Sequence, residues 1–535
     1  MRQLDHRHTG SSAYERRLAG AAIGVVLLLV LVVGPPSDSG AAAAPPSVQR
    51  GGTLRVAVPE KFTGFGPFVN RSRVDYYVTP NIFDTLVTYS RNYVPVGMLA
   101  ERWEQPDAGT WIFHLRTGVR FHDGTPFDAQ AARYSLEKAK AGVAKGQLAS
   151  VQSITVVDPS TLRINVSTPA PTLPAILTQP YTAMVPPAAY DRLGPDGFAK
   201  APVGTGPFRL VSWDTATGEV ILQANPSYWR GAAGGQKYPY LQRVDFKVLP
   251  DVAAEVAALQ AADVDLIVKV PAASARQLGA GPQTKLSEET ATGWVYSFLN
   301  PNRPALADVH RRRAIQFAID RTAVVQAAEG GYATPALGPI APSSWAYDPG
   351  IERRGFYGPT ADVDKARQEL ARANPPGAFE FTWTYPNDEP WSTIAPIVQD
   401  ELAKVGIRAK LDGREIGAVL DDMFVGKFEA LMIDWSGRID EDLSMAFFFE
   451  CGGGRANFTG YCDREVDRML KEAGGTADRG KRTRLYHDAQ RLIIEDVPIV
   501  FFYFPKDLKA MSTKVQGYEN LGDFRLYLFN VWLSK

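Results

Sequence analysis

The apolar positions of this chain change period along its length, and the changes outline its secondary structure. Residues 53–58 alternate as a β-strand does, directly after a Gly-Gly pair. Further along, an amphipathic helical stretch followed by a short apolar strand recurs three times, at 253–262 with 264–268, 394–405 with 407–411 and 482–495 with 499–504. Alternating helices and short apolar strands predict an α/β fold whose sheets are covered by helices.

The first third of the chain has a different, more β-rich pattern. Residues 111–116 and 119–124 flank a Thr-Gly turn and predict a hairpin, and residues 154–158 and 161–167 predict a second strand pair. Between them, 128–140 has helical spacing. This third is therefore expected to form a mixed region distinct from the later helix-strand units.

The N-terminus has the three parts of a secretory signal peptide. Arg16 and Arg17 precede an apolar run at 18–33, and Gly-Pro-Pro and a tract of four alanines follow, ending at residue 44. We predict that residues 1–44 are removed by cleavage and that 45–50 form a linker. An uncleaved anchor is the alternative, but the run is shorter than the ~20 residues that span a bilayer.

Export is therefore expected, to the periplasm or the cell exterior. The cleavage zone contains no cysteine, which excludes a lipid anchor on an N-terminal cysteine. The Arg16-Arg17 pair leaves both Sec and twin-arginine export open.

Length and charge narrow the possible partners. A chain of 535 residues is too long to fold around one small hydrophobic core, so at least two lobes are expected. The 58 basic residues balance 58 acidic ones, which leaves no electrostatic footprint for nucleic acid or anionic lipid. Small solutes and other proteins remain as partners.

The two cysteines, Cys451 and Cys462, bound a short glycine-rich segment. In an oxidising compartment such a pair forms a disulfide more often than a reactive site, so we predict a structural disulfide. A metal site would need more ligands, and the nearest histidine, His487, is distant in sequence. No metal or cofactor is predicted.

Motifs of hydrolases and nucleotide-binding enzymes are missing. The sequence has no G-x-S-x-G, no H-E-x-x-H and no phosphate-binding P-loop. His114 and His122 fall on the two strands of the predicted hairpin, where a structural role is expected. We therefore predict a protein that is not an enzyme.

Several separated segments together resemble one protein family. They are GGTLR at 51–55, IFDTLV at 82–87, LAERWE at 99–104, FHLRTGVRFHDGTPF at 113–127, GTGPF at 204–208, NPSYW at 225–229 and VHRRRAIQFAID at 309–320. In this order they resemble the extracytoplasmic solute-binding proteins of ABC importers, in the peptide/nickel (dipeptide/oligopeptide-binding) family. The resemblance extends from residue 51 to the C-terminus.

This resemblance implies a two-lobed, periplasmic-binding-protein-like (type II) α/β fold that encloses its ligand between the lobes. Lobe I would comprise residues 51–297 plus 506–535, with an inserted subdomain at about 95–200, and lobe II would comprise 298–505. The crossovers would lie at the turn-rich 300–304 and near Pro505. Closure would be a hinge motion of rigid lobes.

The resemblance also implies a partner and a class of ligand. A monomer would deliver its solute to membrane permease subunits; peptides are the first expectation, with opines, oligosaccharides, glutathione-like compounds and metal chelates as alternatives. A ligand-binding sensor or chaperone-like module of the same fold is the alternative function.

The segment IDWSGRIDED at 433–442 is the strongest site candidate, because it follows a strand-like EALM and strand ends carry ligand sites in α/β folds. We predict ligand contacts from Trp435, Ser436, Gly437, Arg438 and Asp440. Peptide-binding members place an Asp in a Trp-x-x-Asp motif against the ligand ammonium, and here Arg438 takes that position. This change favours an anionic or hydrogen-bond-accepting ligand group.

Two alternatives for this segment stay open. Arg438 could instead bridge Asp440 or Glu441 as a structural ion pair. A shift of the loop by two residues could also return a carboxylate, from Asp440 or Asp442, to the site.

Aromatic and polar residues near other strand ends complete the predicted site, each with burial in the core as its alternative. Tyr385, Asn387 and Trp391 follow the strand at 379–383, Trp294 and Tyr296 precede the first crossover, Phe65 follows the first strand, and Trp345 lies in a PSSW segment.

Overall fold

The computed structural model describes residues 48–69, 72–232, 235–351, 357–453 and 456–535. The predicted signal peptide, residues 1–44, lies outside the described residues. Within the described part, no helix has both the length and the apolarity needed to cross a membrane.

The strands are distributed along the whole described chain. They are β1 (Thr53–Val58), β2 (Val87–Tyr89), β3 (Pro95–Gly97), β4 (Ala100–Asp107), β5 (Thr110–Leu115), β6 (Val151–Asp158), β7 (Thr161–Val166), β8 (Phe208–Trp213), β9 (Val220–Ala224), β10 (Arg243–Val248), β11 (Leu266–Ile267), β12 (Thr284–Thr290), β13 (Trp294–Leu299), β14 (Ala333–Pro335), β15 (Phe379–Pro386), β16 (Ile407–Arg414), β17 (Ala430–Trp435), β18 (Ile499–Ser512), β19 (Val515–Gln516) and β20 (Trp532–Leu533).

Helices are concentrated in the second half. They are α1 (Thr79–Ile82), α2 (Ala129–Ala141), α3 (Leu173–Ile176), α4 (Pro187–Lys200), α5 (Val252–Gln260), α6 (Ala272–Ala280), α7 (Val309–Ala318), α8 (Arg321–Glu329), α9 (Val363–Arg372), α10 (Trp391–Ala403), α11 (Ile416–Phe424), α12 (Asp442–Phe449), α13 (Ala456–Thr459), α14 (Arg464–Gly474) and α15 (Arg479–Asp496), with short 3-10 turns at Arg73–Tyr77 and Pro180–Thr182.

Aspartate starts many of these helices. In each case its carboxylate accepts hydrogen bonds from free backbone N–H groups of the first turn, which a helix cannot satisfy by itself. The capping residues of α2, α5, α7, α8, α9, α14 and α15 are Asp128, Asp251, Asp308, Asp320, Asp362, Asp463 and Asp478.

A 12-stranded sheet organises the molecule in the order β16-β15-β17-β13-β18-β11-β1-β10-β9-β8, with β12 and β14 also pairing with β18. Its parallel pairs are β1 with β10 and β11, and β15 with β16 and β17. The recurring helix-strand units predicted from the sequence are present as α5 with β11, α10 with β16 and α15 with β18. The predicted α/β class with a large, helix-covered sheet is confirmed.

Strand β18 links the two groups of strands in this sheet. Its first residues pair with β13 and β14, and after Pro505 it pairs with β12 and β11. Strands β12 and β13 pair with different halves of β18. The residue bounds of the two lobes stay a prediction.

A separate four-stranded antiparallel sheet, in the order β4-β5-β7-β6, lies within the predicted insertion at 95–200. It contains the predicted pair of strands at 154–158 and 161–167 as β6 and β7. Strand β5 pairs with β4 on one edge and with β7 on the other.

The predicted hairpin between 111–116 and 119–124 is wrong, because both edges of β5 are already occupied. His114 contacts Glu104, with 3.1 Å between Nε2 and Oε1, whereas His122 Nε2 lies 3.0 Å from the carbonyl oxygen of Gly206. The two histidines therefore serve separate parts of the fold and do not face each other.

The predicted disulfide between Cys451 and Cys462 is present, closing the loop between α12 and α14. Three large hydrophobic clusters form the core: one covers the strands around β1 and the four-stranded sheet, and the other two lie on opposite faces of the strand group β13, β17 and β18. The core therefore follows the two strand groups, consistent with a two-lobed architecture.

Candidate functional site

The loop after β17, residues 435–441, is called here the cleft loop. Strand β17 brings it beside β13, with Trp435 opposite Trp294. Gly437 is buried with a φ of +72°, and a Cβ at this position would lie 2.4 Å from the backbone nitrogen of Gly293. Only glycine fits this backbone and this contact, so residues 435–437 are held against the chain at 292–293.

Arg438 lies over the indole of Trp435, with 4.2 Å between the guanidinium carbon and the ring centroid. Its Nη1 donates hydrogen bonds to the Gly437 carbonyl at 2.5 Å and to the Ser436 hydroxyl at 3.2 Å. Trp435 in turn donates from Nε1 to the hydroxyl of Ser444 at 3.2 Å. The guanidinium is thereby oriented by the cleft loop itself.

The charge of Arg438 affects Tyr181, a residue from the first half of the chain. Burial raises the pKa of Tyr181 to about 12, and the positive charges of Arg438 and Arg525 oppose this rise. The charges of a cleft-loop arginine and of an arginine in the C-terminal tail thus both act on the phenol of Tyr181.

Asp440 turns away from Arg438 and forms a buried ion pair with Arg482 of α15. Its two oxygens accept from Nη1 at 3.1 Å and from Nη2 at 2.5 Å, and both side chains are under one-tenth exposed. Glu441 accepts a hydrogen bond from Ser344. The partners that hold these two carboxylates are therefore Arg482 and Ser344.

The two acids that follow Asp440, Glu441 and Asp442, have raised pKa values. Burial, the largest effect, raises the pKa of Glu441 to about 8 and that of Asp442 to about 7, and in each case the charge of Asp440 adds to the rise. One guanidinium, that of Arg482, serves three consecutive acidic residues. The base of the cleft loop therefore holds protons near neutral pH.

Ile439 joins the cleft loop to the first half of the chain. Its side chain is buried in a small cluster with Tyr89, Tyr93 and Ala175. This contact places the loop beside a cavity that the sequence did not predict.

That cavity, called here the tail cavity, has a volume of about 300 Å³ and is formed largely by the C-terminal tail, residues 519–530, and by residues 76–98. Arg525 lines it and donates hydrogen bonds to Gln179 Oε1 and to the hydroxyl of Tyr89, each at 3.1 Å. Tyr89 also donates to Asp523. Arg525 thus belongs to a buried network of an arginine, a carboxylate and phenols beside the cavity.

Three of the sequence motifs meet at the far end of the tail cavity. Asp84 of IFDTLV accepts hydrogen bonds from Trp229 Nε1 at 2.8 Å, from the Thr205 hydroxyl at 2.9 Å and from the Tyr228 hydroxyl at 3.3 Å. Burial, the largest effect, raises the pKa of Asp84. These motifs were visible in the sequence, but their convergence was not.

The sequence profile described as "Bacterial extracellular solute-binding proteins, family 5 Middle" matches residues 94–456. The chain belongs to this family.

Individual relatives extend the similarity over nearly the whole chain. The glutathione-binding protein GsiB of Salmonella paratyphi A is 28% identical over 487 residues, which are 86% of this chain and 91% of the relative. The structure of HbpA2 from Haemophilus parasuis has a TM-score of 0.81 at 24% identity, covering 90% of this chain and 100% of that one. DppA from Helicobacter pylori, in complex with the peptide STSA, has a TM-score of 0.72 at 26% identity, covering 91% and 99%.

These matches confirm the predicted family, its periplasmic-binding-protein fold and the assignment as an extracytoplasmic solute-binding protein of the ABC-importer type. The relatives are binding proteins. Within the described residues of this solute-binding protein, no group of three or more His, Cys, Asp or Glu side chains is arranged to hold a metal ion.

Four of the predicted ligand residues have side chains packed inside the protein. The exposed fraction is 0% for Phe65 and Tyr296, 1% for Trp294 and 5% for Trp391. Trp294, for example, packs edge-on against Phe448 at 5.3 Å between ring centroids. The structure therefore places these rings in the core, and their contact with ligand stays a prediction.

The other predicted residues are at least partly accessible. Tyr385 is half-buried and Asn387 is exposed at the end of β15, where the Asn387 backbone nitrogen donates to the Arg414 carbonyl at 2.7 Å. Trp345 is half-buried near α15, away from these two residues. The structure thus places Trp435, Ser436, Gly437, Arg438 and Asp440 in one loop, with Trp294 opposite Trp435 in the neighbouring strand.

Sequence reasoning missed the tail residues Asp523, Arg525 and Tyr527. The tail lacks any periodic pattern or recognised motif, so only its charged and aromatic content at 518–530 could have drawn attention to it.

Proposed function

We propose that this solute-binding protein captures a peptide-like solute that carries a carboxylate group, and that it delivers this solute to the permease subunits of an ABC importer. The observation that carries the proposal is the position of Arg438. Its guanidinium projects from the end of β17, held by the cleft loop, and its charge reaches the same tyrosine as that of Arg525.

The charges around Arg438 favour an anion. Asp440, the carboxylate that could attract a ligand ammonium, is neutralised by Arg482. A guanidinium binds a carboxylate with two parallel hydrogen bonds, and such bonds strengthen when water is excluded. A solute carboxylate at Arg438 would therefore bind more strongly than an ammonium group at the same place.

The relatives support a peptide-like solute. GsiB is named for glutathione, a tripeptide with two carboxylates, and the DppA structure contains a peptide. We further propose that the protein works as a monomer without enzymatic activity, with one solute enclosed between the two predicted lobes. Trp435, Ser436, Gly437 and Arg438 would contact the solute.

Calorimetric titration of the mature protein with matched ligands tests this proposal. We expect reduced glutathione or a free tripeptide to bind, and the same tripeptide with its carboxyl groups amidated to bind at least about 10-fold more weakly, since a charge-assisted pair is lost. Equal affinity for the free and amidated forms, or binding of neither, would contradict the proposal.

A further inference from the structure

A second cavity, called here the indole cavity, is lined in part by Asp440 of the cleft loop and has a volume of about 260 Å³. Its walls come from two distant parts of the chain. Trp103 and Trp111 belong to the four-stranded sheet, while Trp345 lies between β14 and α9.

The walls of the indole cavity are rich in rings. Trp103 and Trp111 lie on the same face of the sheet and each packs against Phe113, with ring centroids 6.1 Å and 6.3 Å apart. Three prolines extend this apolar surface: Pro95, Pro171 and Pro174. Flat aromatic groups fit such walls best, because ring faces give large contact areas with little loss of conformational entropy.

The cavity also has an excess of positive charge. Arg479 lies 4.9 Å from the centroid of Trp345, and Arg482 lies 5.2 Å from it. Arg482 is paired with Asp440, which also lines the cavity. In the part of the chain that the structure describes, Arg479 has no carboxylate within ion-pair distance, so its charge is available to an incoming anion.

Ile439 separates the indole cavity from the tail cavity. Its side chain belongs to a buried cluster with Tyr89, which lines the tail cavity, and Ala175, which lines the indole cavity. Arg438 does not line the indole cavity, so a group bound there would occupy a place distinct from its guanidinium.

We propose that the indole cavity is a second binding site, which takes a single aromatic ring carrying a short carboxylate tail. The ring would lie among the three tryptophans and the carboxylate would meet Arg479. The inference goes beyond capture at Arg438 and does not depend on it, because no residue of the indole cavity other than Asp440 belongs to the cleft loop.

Calorimetric titration of the mature protein with 3-phenylpropionate tests the site directly, with propionate and 3-phenylpropylamine as matched probes that lack the ring or reverse the charge. We expect saturable binding of 3-phenylpropionate with a dissociation constant of about 1 mM or lower, typical for a ligand of this size. Both matched probes should bind at least about 10-fold more weakly.

Variants separate this site from the one at Arg438. Arg479→Gln and Trp345→Leu should each weaken 3-phenylpropionate binding by about 5-fold or more, while Arg468→Gln, at an exposed arginine of α14, should not change it. Arg438→Ala should also leave it unchanged. Undetectable binding, or equal losses with Arg479→Gln and Arg468→Gln, would overturn the inference. Loss of binding in Arg438→Ala would assign the probe to the cleft-loop site and overturn it as well, while leaving the proposed function intact.

Discussion

Asp440 and Arg482 form a two-bonded ion pair inside the protein, at 3.1 Å and 2.5 Å, although 42 positions separate them in the sequence. The pair ties the base of the cleft loop to α15, and Arg482 also donates to the Tyr486 hydroxyl at 2.9 Å. It engages both oxygens of Asp440 and fixes the loop that carries Arg438.

Breaking this pair should be costly for stability. Arg482→Ala leaves the Asp440 carboxylate buried without its counter-charge, and we expect the free energy of unfolding to fall by about 3–5 kcal/mol in urea denaturation. The double variant of Asp440→Asn with Arg482→Met should lose less free energy of unfolding than the sum of the losses in its two single variants, Asp440→Asn and Arg482→Met. As a control, Arg468→Ala, which removes an exposed pair with Glu465, should cost under about 1 kcal/mol. Strict additivity of the two single variants would disprove the coupling.

Arg438 should matter for affinity and little for stability. In Arg438→Ala, a ligand carboxylate in the cleft loses its charged partner, and we expect binding of a free tripeptide to weaken by about 30-fold to 1000-fold, or 2–4 kcal/mol. Arg438→Lys should restore only part of the lost affinity, because one ammonium does not reproduce the planar guanidinium. The matched control is Arg408→Ala, at an exposed arginine on β16. Unchanged affinity in Arg438→Ala, measured by calorimetry, would return Arg438 to a structural role.

The buried acids Glu441 and Asp442 should make the protein less stable as pH rises. Their folded-state pKa values, about 8 and about 7, lie above those of an unfolded chain, so the folded state binds more protons between about pH 4 and pH 8. The free energy of unfolding should therefore fall across this window, by up to about 1.4 kcal/mol per pH unit for each group.

Glu441→Gln isolates this effect, because glutamine keeps the hydrogen bond from Ser344 but does not titrate. In urea denaturation at several pH values, its stability profile should be flatter than that of the parent protein between about pH 4.5 and pH 8. Other buried acids with raised pKa values, Glu255 and Glu401, contribute equally to both proteins. Parallel profiles would show that Glu441 does not hold a proton in the folded state.

The disulfide should stabilise the fold modestly. Cys451 and Cys462 close a short loop, and by the loop-closure argument replacing both with serine should lower the free energy of unfolding by about 3 kcal/mol. Thermal unfolding of the oxidised parent, the reduced parent and the double variant measures this. The reduced parent should match the variant, and a variant as stable as the oxidised parent would contradict the expectation.

The sequence by itself determined the local elements and the family. Apolar periodicity located the units α5–β11, α10–β16 and α15–β18, because the spacing of buried side chains differs between helix and strand. The short glycine-rich segment between Cys451 and Cys462, together with the predicted export, was enough to predict their disulfide. The ordered motifs were enough for the family, because each is a local string of residues.

Only the tertiary structure decided which side chains meet. Periodicity could not show that both edges of β5 were occupied, so the hairpin to 119–124 was wrongly predicted. It also could not show that Trp294 is fully buried while Trp435 is only partly buried, although the two are opposite each other in neighbouring strands. The partner of Asp440 and the tail cavity depend on residues far apart in the chain, and such pairings are set by packing of the whole fold, which no local pattern of residues encodes.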